Sequence, residues 1–395
     1  MNLFYFILLG CSFLCFAQNN VKSANHPCKS GIEHINDYQF NEAIKKLNTD
    51  QCLTGNRSSF YLGKLAYAYQ KNGNYRKAKL TYKRLINQDS ANTKAFFQLA
   101  GIYKKESNLG KSIYFYKKLI QLDSLNSYYH KKIGDVYWSQ KNIKGAAIAY
   151  QNSHQLNSKN IDVKSKLSAI YFKLKLYERS RELIDQGLEL NPNSVLLLKQ
   201  RAKLHYAQKS YKKLIETVDQ IDEILEQPSN YLLKLKAIAL YKTGDFEKST
   251  QLFSQLIEKY QDTEVIHYYL GMCYQETDEL SKSEYHFEKA IDEGMSNNLA
   301  SYFTNLGSVF EEQGKFKESI QAYKLAYEQS NDGFLLYRLA KNYDTYYADK
   351  EVALRYYERY LEKTDEPLNK KYADYAKSRI SSIKKEIHFD IDTLN

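Results

Sequence analysis

The sequence predicts an all-α chain made by stacking one helix–turn–helix unit many times, and three observations carry that prediction. A short turn recurs as GNYRKA from Gly73, GDFEKS from Gly244 and GKFKES from Gly314, with starts 171 and 70 residues apart, close to five and two multiples of 34. Self-similarity at such a period marks stacked supersecondary units. Apolar and small residues return in the same columns 34 residues on, and no two-residue alternation of a strand competes with them.

In chain order, the N-terminus MNLFYFILLGCSFLCFAQNN is apolar from Leu3 to Ala17 and carries no acidic residue. Cys15 and Ala17 stand at −3 and −1 of a cleavage point ahead of Gln18. Residues 1–17 therefore read as a secretory signal peptide, too short for a comfortable transmembrane helix. Leu8-Leu9-Gly10-Cys11 fits a bacterial lipobox and leaves a lipid anchor at Cys11 as the alternative, with apolar SFLCFA following it. A first repeat, Ala24 to Asn56, keeps Gly31, Phe40, Ala43 and Leu47 but has a weak first helix. With Gly73 as position 15, the second repeat puts Leu65, Ala66, Tyr69, Tyr75, Ala78 and Tyr82 at positions 7, 8, 11, 17, 20 and 24. The same columns hold Leu99, Ala100, Tyr103, Leu109, Ser112 and Tyr116, then Ile133, Gly134, Tyr137, Ile143, Ala146 and Tyr150. Leu167, Ser168, Tyr171, Tyr177, Ser180 and Ile184 follow, with Pro192 at position 32. The sixth repeat departs most, with Arg201 at 7, His205 at 11 and Leu214 at 20. Later repeats need small insertions but keep Leu270, Gly271, Tyr274, Ser283 and Phe287, then Leu306, Gly307, Phe310, Ser319 and Tyr323, then Leu339, Ala340, Tyr343, Ala353 and Tyr357. Residues 368–389 read as one more helix with an apolar stripe through Tyr372, Tyr375, Ala376, Ile380, Ile383 and Ile387. Its polar side carries Lys370, Lys371, Lys377, Arg379, Lys384 and Lys385. A capping helix is one reading of that stripe, and a helix for a membrane surface or a partner is the other. Residues 390–395 read as a tail.

Positions 4, 7, 8 and 11 form one face of a first helix, and 17, 20, 24 and 27 one face of a second. A small residue at 8 lets helices approach, and Gly or a polar residue at the turn breaks the chain between them. The whole pattern resembles the tetratricopeptide repeat, over residues 24–367. That resemblance implies a right-handed superhelical solenoid of about ten repeats, its irregular end units acting as caps. In this family the start of a first helix and the end of its antiparallel partner lie side by side. Cys28 at position 5 and Cys52 at position 29 could then be bridged in an oxidising compartment, two unrelated buried thiols being the alternative. Cys273, at position 10, reads as a packed thiol.

Catalytic signatures are missing: there is no Walker A loop, G-x-S-x-G, H-E-x-x-H or C-x-x-C, and no His of the eight has a second His or Cys at ligand spacing. No cofactor is expected. Most of the 37 Tyr fall in packing columns. The resemblance implies that positions 2, 5, 9, 12 and 13 line a concave peptide groove. Position 12 holds Trp138, Phe172 and Tyr206 in consecutive repeats, and nearby groove positions hold Lys104, Lys105, Lys131, Lys166, Lys173, Lys199 and Lys203. Such a ladder suits an extended acidic segment, with aromatics supplying area and lysines charge. Packing of the rings on neighbouring helices is the competing account. The family's carboxylate clamp is not carried over, because Asp135 stands at position 9 beside Lys131.

Charge is segregated within an overall net charge of +11: residues 93–213 carry 23 Lys and Arg against 8 Asp and Glu, whereas 264–333 carry 5 Lys against 13 Asp and Glu. That pattern fits steering of an acidic partner or self-association. The leading expectation is a non-catalytic protein-binding scaffold, exported to the periplasm or cell envelope of a bacterium. A nucleic-acid or polyanion binder is one alternative, made less favourable by export, and an accessory protein or enzyme acting on envelope polysaccharide is another.

Overall fold

The computed structural model describes residues 27–226, 229–257, 259, 264–294, 297–363 and 370–394, the side chains of 388–394 excepted. The signal-peptide and lipobox segments, including Cys11, lie outside the described residues. Twenty-two α-helices and no strand occur among those residues. The chain divides into two compact units, 1–163 and 164–395.

The first unit opens with α1 (Pro27–Asn36), α2 (Phe40–Leu47) and a one-turn α3 (Asp50–Leu53), then the hairpin α4 (Ser58–Lys71) and α5 (Tyr75–Gln88). Two further hairpins follow, α6 (Thr93–Lys105) with α7 (Leu109–Leu122) and α8 (Ser127–Ser139) with α9 (Ile143–Leu156). The division falls inside α10 (Ile161–Lys173). In the second unit α11 (Tyr177–Leu190) precedes the hairpins α12 (Val195–Ala207) with α13 (Tyr211–Ile224) and α14 (Asn230–Lys242) with α15 (Phe246–Ile257). Next come α16 (Glu264–Glu276) with α17 (Leu280–Glu293), α18 (Leu299–Glu312) with α19 (Phe316–Ser330), and α20 (Gly333–Tyr346) with α21 (Glu351–Lys363). Helix α22 (Lys370–Leu394) closes the chain.

One set of local contacts builds each hairpin. Position 15 is left-handed in most of the hairpin turns, at Gly73 (φ 78°), Ser107 (58°), Lys141 (59°), Lys175 (59°), Lys209 (55°), Gly244 (86°), Asp278 (61°) and Gly314 (74°), whereas the turn between α20 and α21 is extended at Tyr347 (φ −98°). The next residue's N–H reaches back to the position 11 carbonyl, as in Asn108 to Tyr103 (2.8 Å) and Glu279 to Tyr274 (2.8 Å). This is the six-to-one bond of a Schellman stop, and it answers why the GNYRKA turn recurs. Asn then caps the second helix, its side chain accepting from Lys77, Lys111 and Gly145 N–H at Asn74, Asn108 and Asn142. Asn92 and Asn126 do the same for first helices, as does Asn160, which accepts from the Val163 N–H at 3.1 Å.

Between the two helices, the position 20 serines donate to the position 8 carbonyl: Ser112 to Ala100 (2.8 Å), Ser180 to Ser168 (2.9 Å), Ser249 to Ala237 (2.9 Å), Ser283 to Gly271 (2.8 Å) and Ser319 to Gly307 (2.7 Å). A buried hydroxyl is tolerated because this acceptor is always present. Where position 8 is Gly, the position 24 ring lies against it. A Cβ on Gly134, Gly271 or Gly307 would come within 2.8–2.9 Å of Tyr150, Phe287 or Tyr323.

Several details differ from the sequence reading. Cys52 sits on the separate helix α3, not on a continuing second helix, because Thr49 is extended and restarts the chain. The structure joins Cys28 and Cys52 in a disulfide with a Cα–Cα separation of 5.5 Å. The two cysteines are 24 residues apart, and closing a loop of that length stabilises a fold by about 3.5 kcal/mol in the chain-entropy account. No separate tail begins at 390, since α22 runs on to Leu394 and neither Gly nor Pro interrupts it. Most of its stripe is spent on packing, Ala376 and Ile383 being buried with Tyr337, Tyr357 and Tyr360 of α20 and α21, whereas Tyr375 falls beside it and stays 46% exposed. Arg379 is half-buried rather than freely solvated. It forks onto Asp344 of α20 at 2.6 and 2.9 Å and also reaches Glu386 at 2.8 Å.

Candidate functional site

An opening in the first unit lies along α4 and the start of α6, a cavity of 720 Å³ lined among others by Tyr38, Phe60, Lys64, Tyr67, Lys94 and Gln98. Phe60 and Lys94 stand at position 2, and Tyr67 at position 9, so the groove columns build it. Burial of the 7, 8 and 11 columns turns these side chains outward: Leu65, Ala66 and Tyr69 are buried, whereas Phe60 is 52% exposed. No Asp or Glu lines the cavity. A neighbouring cavity of 490 Å³ shares Lys94 and Gln98 and adds Phe97, Tyr128 and Tyr129.

Cations and rings alternate here. Lys64 Nζ lies 5.6 Å from the Phe60 ring centre, Lys71 Nζ 5.4 Å from Tyr67 and Lys132 Nζ 5.0 Å from Tyr128. Phe97 stacks on Tyr128 at 5.8 Å. Lys94 is exposed and makes no ion pair among the described residues. A relay of amides braces the wall: Tyr82 Oη donates to Gln70 Oε1 at 3.0 Å, and Gln70 Nε2 donates to Gln98 Oε1 at 3.0 Å. Burial raises the Tyr82 phenol well above its usual range, so it stays a neutral donor. Such a surface can hold an extended chain bearing negative and apolar groups.

The ladder read at position 12 is not this site. Trp138 belongs to the first unit and is 42% exposed, whereas Phe172 and Tyr206 belong to the second. Phe172 is half-buried with its ring centre 5.7 Å from that of Tyr177. Tyr206 is 36% exposed. The lysines chosen from the sequence are mostly engaged. Lys131 pairs with Asp162 at 2.7 Å and Asp135 at 3.6 Å. Lys105 bonds to the Tyr75 hydroxyl and lies over its ring, and Lys203 lies 5.8 Å from the Tyr231 ring centre. Lys104, Lys166 and Lys173 also have partners, and Lys199 is half-buried on α12. Position 2 is among the groove columns, but its aromatic residues Phe60 and Tyr128, both exposed, are not singled out by the sequence pattern.

Helical hairpins with this period are what the family comparisons detect. Tetratricopeptide repeat models match residues 64–90 and 300–332, and the model of intraflagellar transport protein 56 matches residues 130–300. The chain carries tetratricopeptide repeats. Proteins of this class bind protein partners. No curated protein matches the sequence.

Among solved structures, a tetratricopeptide repeat protein from Parabacteroides merdae is 18% identical, with a TM-score of 0.45, covering 63% of this chain and 98% of its own. PilF of Pseudomonas aeruginosa is 20% identical, with a TM-score of 0.44, covering 56% and 96%. The Cut9–Hcn1 hetero-tetramer of the APC/C contains a chain 12% identical, with a TM-score of 0.42, covering 89% and 83%.

Proposed function

We propose that this protein is a non-catalytic scaffold that holds an extended acidic segment of a partner protein in the cavity of its first unit. The observation that carries the reading is a 720 Å³ opening lined by Phe60, Tyr67, Lys64 and Lys94 and by no carboxylate. Rings supply contact area that costs little side-chain entropy, and unpaired ammonium groups select the charge. The apolar N-terminus supports export to the periplasm or envelope of a bacterium, where the Cys28–Cys52 disulfide would persist.

Fluorescence anisotropy with a labelled extended peptide of alternating Glu and Tyr tests the site. Binding should weaken by about tenfold when Lys64 and Lys94 are both replaced by Ala, and again with Phe60→Ala. Unchanged affinity in the double variant rejects the cavity. A single-stranded oligonucleotide arm separates the polyanion alternative, because tighter, steeply salt-dependent binding to it would favour nucleic acid. Mass analysis of the protein in its source cells tests export. Cleavage ahead of Gln18 is expected, and an intact Met1 terminus in the cytoplasm would remove the envelope role.

A further inference from the structure

The sixth repeat is where the columns fail, and the failure has a shape. Position 7, Leu or Ile in the four preceding repeats, is Arg201, and position 11, Tyr in those four, is His205. Replacing two core residues by basic ones would be costly if they were merely buried. Instead they line a cavity of 540 Å³ formed by α11, α12 and α13. Arg181 enters from α11 and Lys213 from α13. None of the four stands in a groove column.

The guanidinium is held in place. Arg201 Nη2 donates to Gln220 Oε1 at 2.8 Å, while Gln220 Nε2 donates to the Pro192 carbonyl at 3.3 Å. Arg201 Nε and His205 Nδ1 are both buried with no hydrogen-bond partner. Lys213 makes no ion pair among the described residues, and Arg181 pairs outward with Glu178 at 2.8 Å. Asp185 and Glu216 line the cavity without pairing to these cations. The field on the imidazole is nonetheless positive. Burial first, then Arg201, Lys213 and Arg181, push His205 down to about 4, so it is neutral at pH 7.

We propose that this cavity is a binding site for a small oxyanion, a carboxylate or phosphate group received by Arg201 with Lys213 and Arg181 around it. A planar guanidinium fixed by the Gln220 amide suits such a ligand, because its fork matches paired oxygens. The site is separate from the partner groove, and it stands whether or not that groove binds a peptide.

Calorimetric titration of the full chain with inorganic phosphate, and in parallel with succinate, at constant ionic strength tests it. Saturable binding of at least one is expected, the preferred probe identifying the group. Arg201→Leu and His205→Tyr restore the residue types of the four preceding repeats and should fold at least as well. Lys213→Met changes an exposed side chain. Each should weaken binding by about tenfold or more, the worth of one charge-assisted contact. No saturable heat with either anion, or undiminished binding in a folded Arg201→Leu protein, overturns the proposal.

Discussion

Position 15 holds left-handed backbone whether or not glycine occupies it, and this makes the turns unequal. Gly73, Gly244 and Gly314 meet the requirement without strain, whereas Lys141, at φ 59°, crowds its Cβ against the backbone. Lys141→Gly should therefore stabilise the protein by about 0.5–1 kcal/mol, seen as a higher urea midpoint at unchanged slope. Gly134 presents the opposite case. The nearest Tyr150 ring atoms would lie 2.8 Å from an added Cβ, and Tyr150 is buried and donates to Asp135 at 2.8 Å. The ring has little room to give. Gly134→Ala should cost about 1–3 kcal/mol despite alanine's better helix propensity, and a stabilised variant would show that the ring moves freely.

Helix pairs tie these residues together, and α16 with α17 adds a pH dependence of its own. His267 Nδ1 and His286 Nδ1 lie 2.8 Å apart, and the His286 ring stacks on Tyr274 with centres 5.4 Å apart. Burial, with the His267 charge second, pushes His286 down to about 4, and burial also lowers His267. One ring must donate and the other accept, so both cannot be protonated in this geometry. The folded state binds fewer protons than the unfolded chain between the ordinary histidine value and about 4. Stability is thus fully present above the ordinary value and falls as the pH drops through that window. With allowance for solvent access, His286 should account for about 1 kcal/mol of loss between pH 7 and 5. Urea melts of wild type and His286→Phe at the two pH values check this. An equal loss in both proteins would assign the acid sensitivity elsewhere.

Across the whole molecule, what the sequence made legible is what the repeat makes periodic. Leu65, Leu99, Ile133 and Leu167 are all buried because one geometric environment recurs, and recurrence lets a single chain act as its own alignment. The Asn caps at 74, 108 and 142 recur just as regularly, but reading apolar columns alone passes over them. The site was less legible because it depends on side chains that break the period. Lys131 and Lys94 look alike in sequence, yet Asp162 pairs with the first and the second makes no ion pair among the described residues. The same holds at the C-terminal end, where Arg379 looked solvated until its partner Asp344, 35 residues earlier, was placed beside it. That end also gives the last prediction. In a stack whose repeats touch only their neighbours, removing a cap should damage the adjoining repeats and spare distant ones. Ending the chain after Lys363 would uncover the cluster of Tyr337, Tyr357 and Tyr360 and leave Asp344, whose side chain is 9% exposed, without the Arg379 fork. Losing a charged hydrogen-bonded partner costs about 1.5–3 kcal/mol, so amide exchange in α20 and α21 should speed up by roughly 10–100-fold. Amides of α4 to α9 should keep their protection. Uniform acceleration along the chain would mean that the repeats unfold as one block, and unchanged exchange in α20 and α21 would mean that α22 is not their cap.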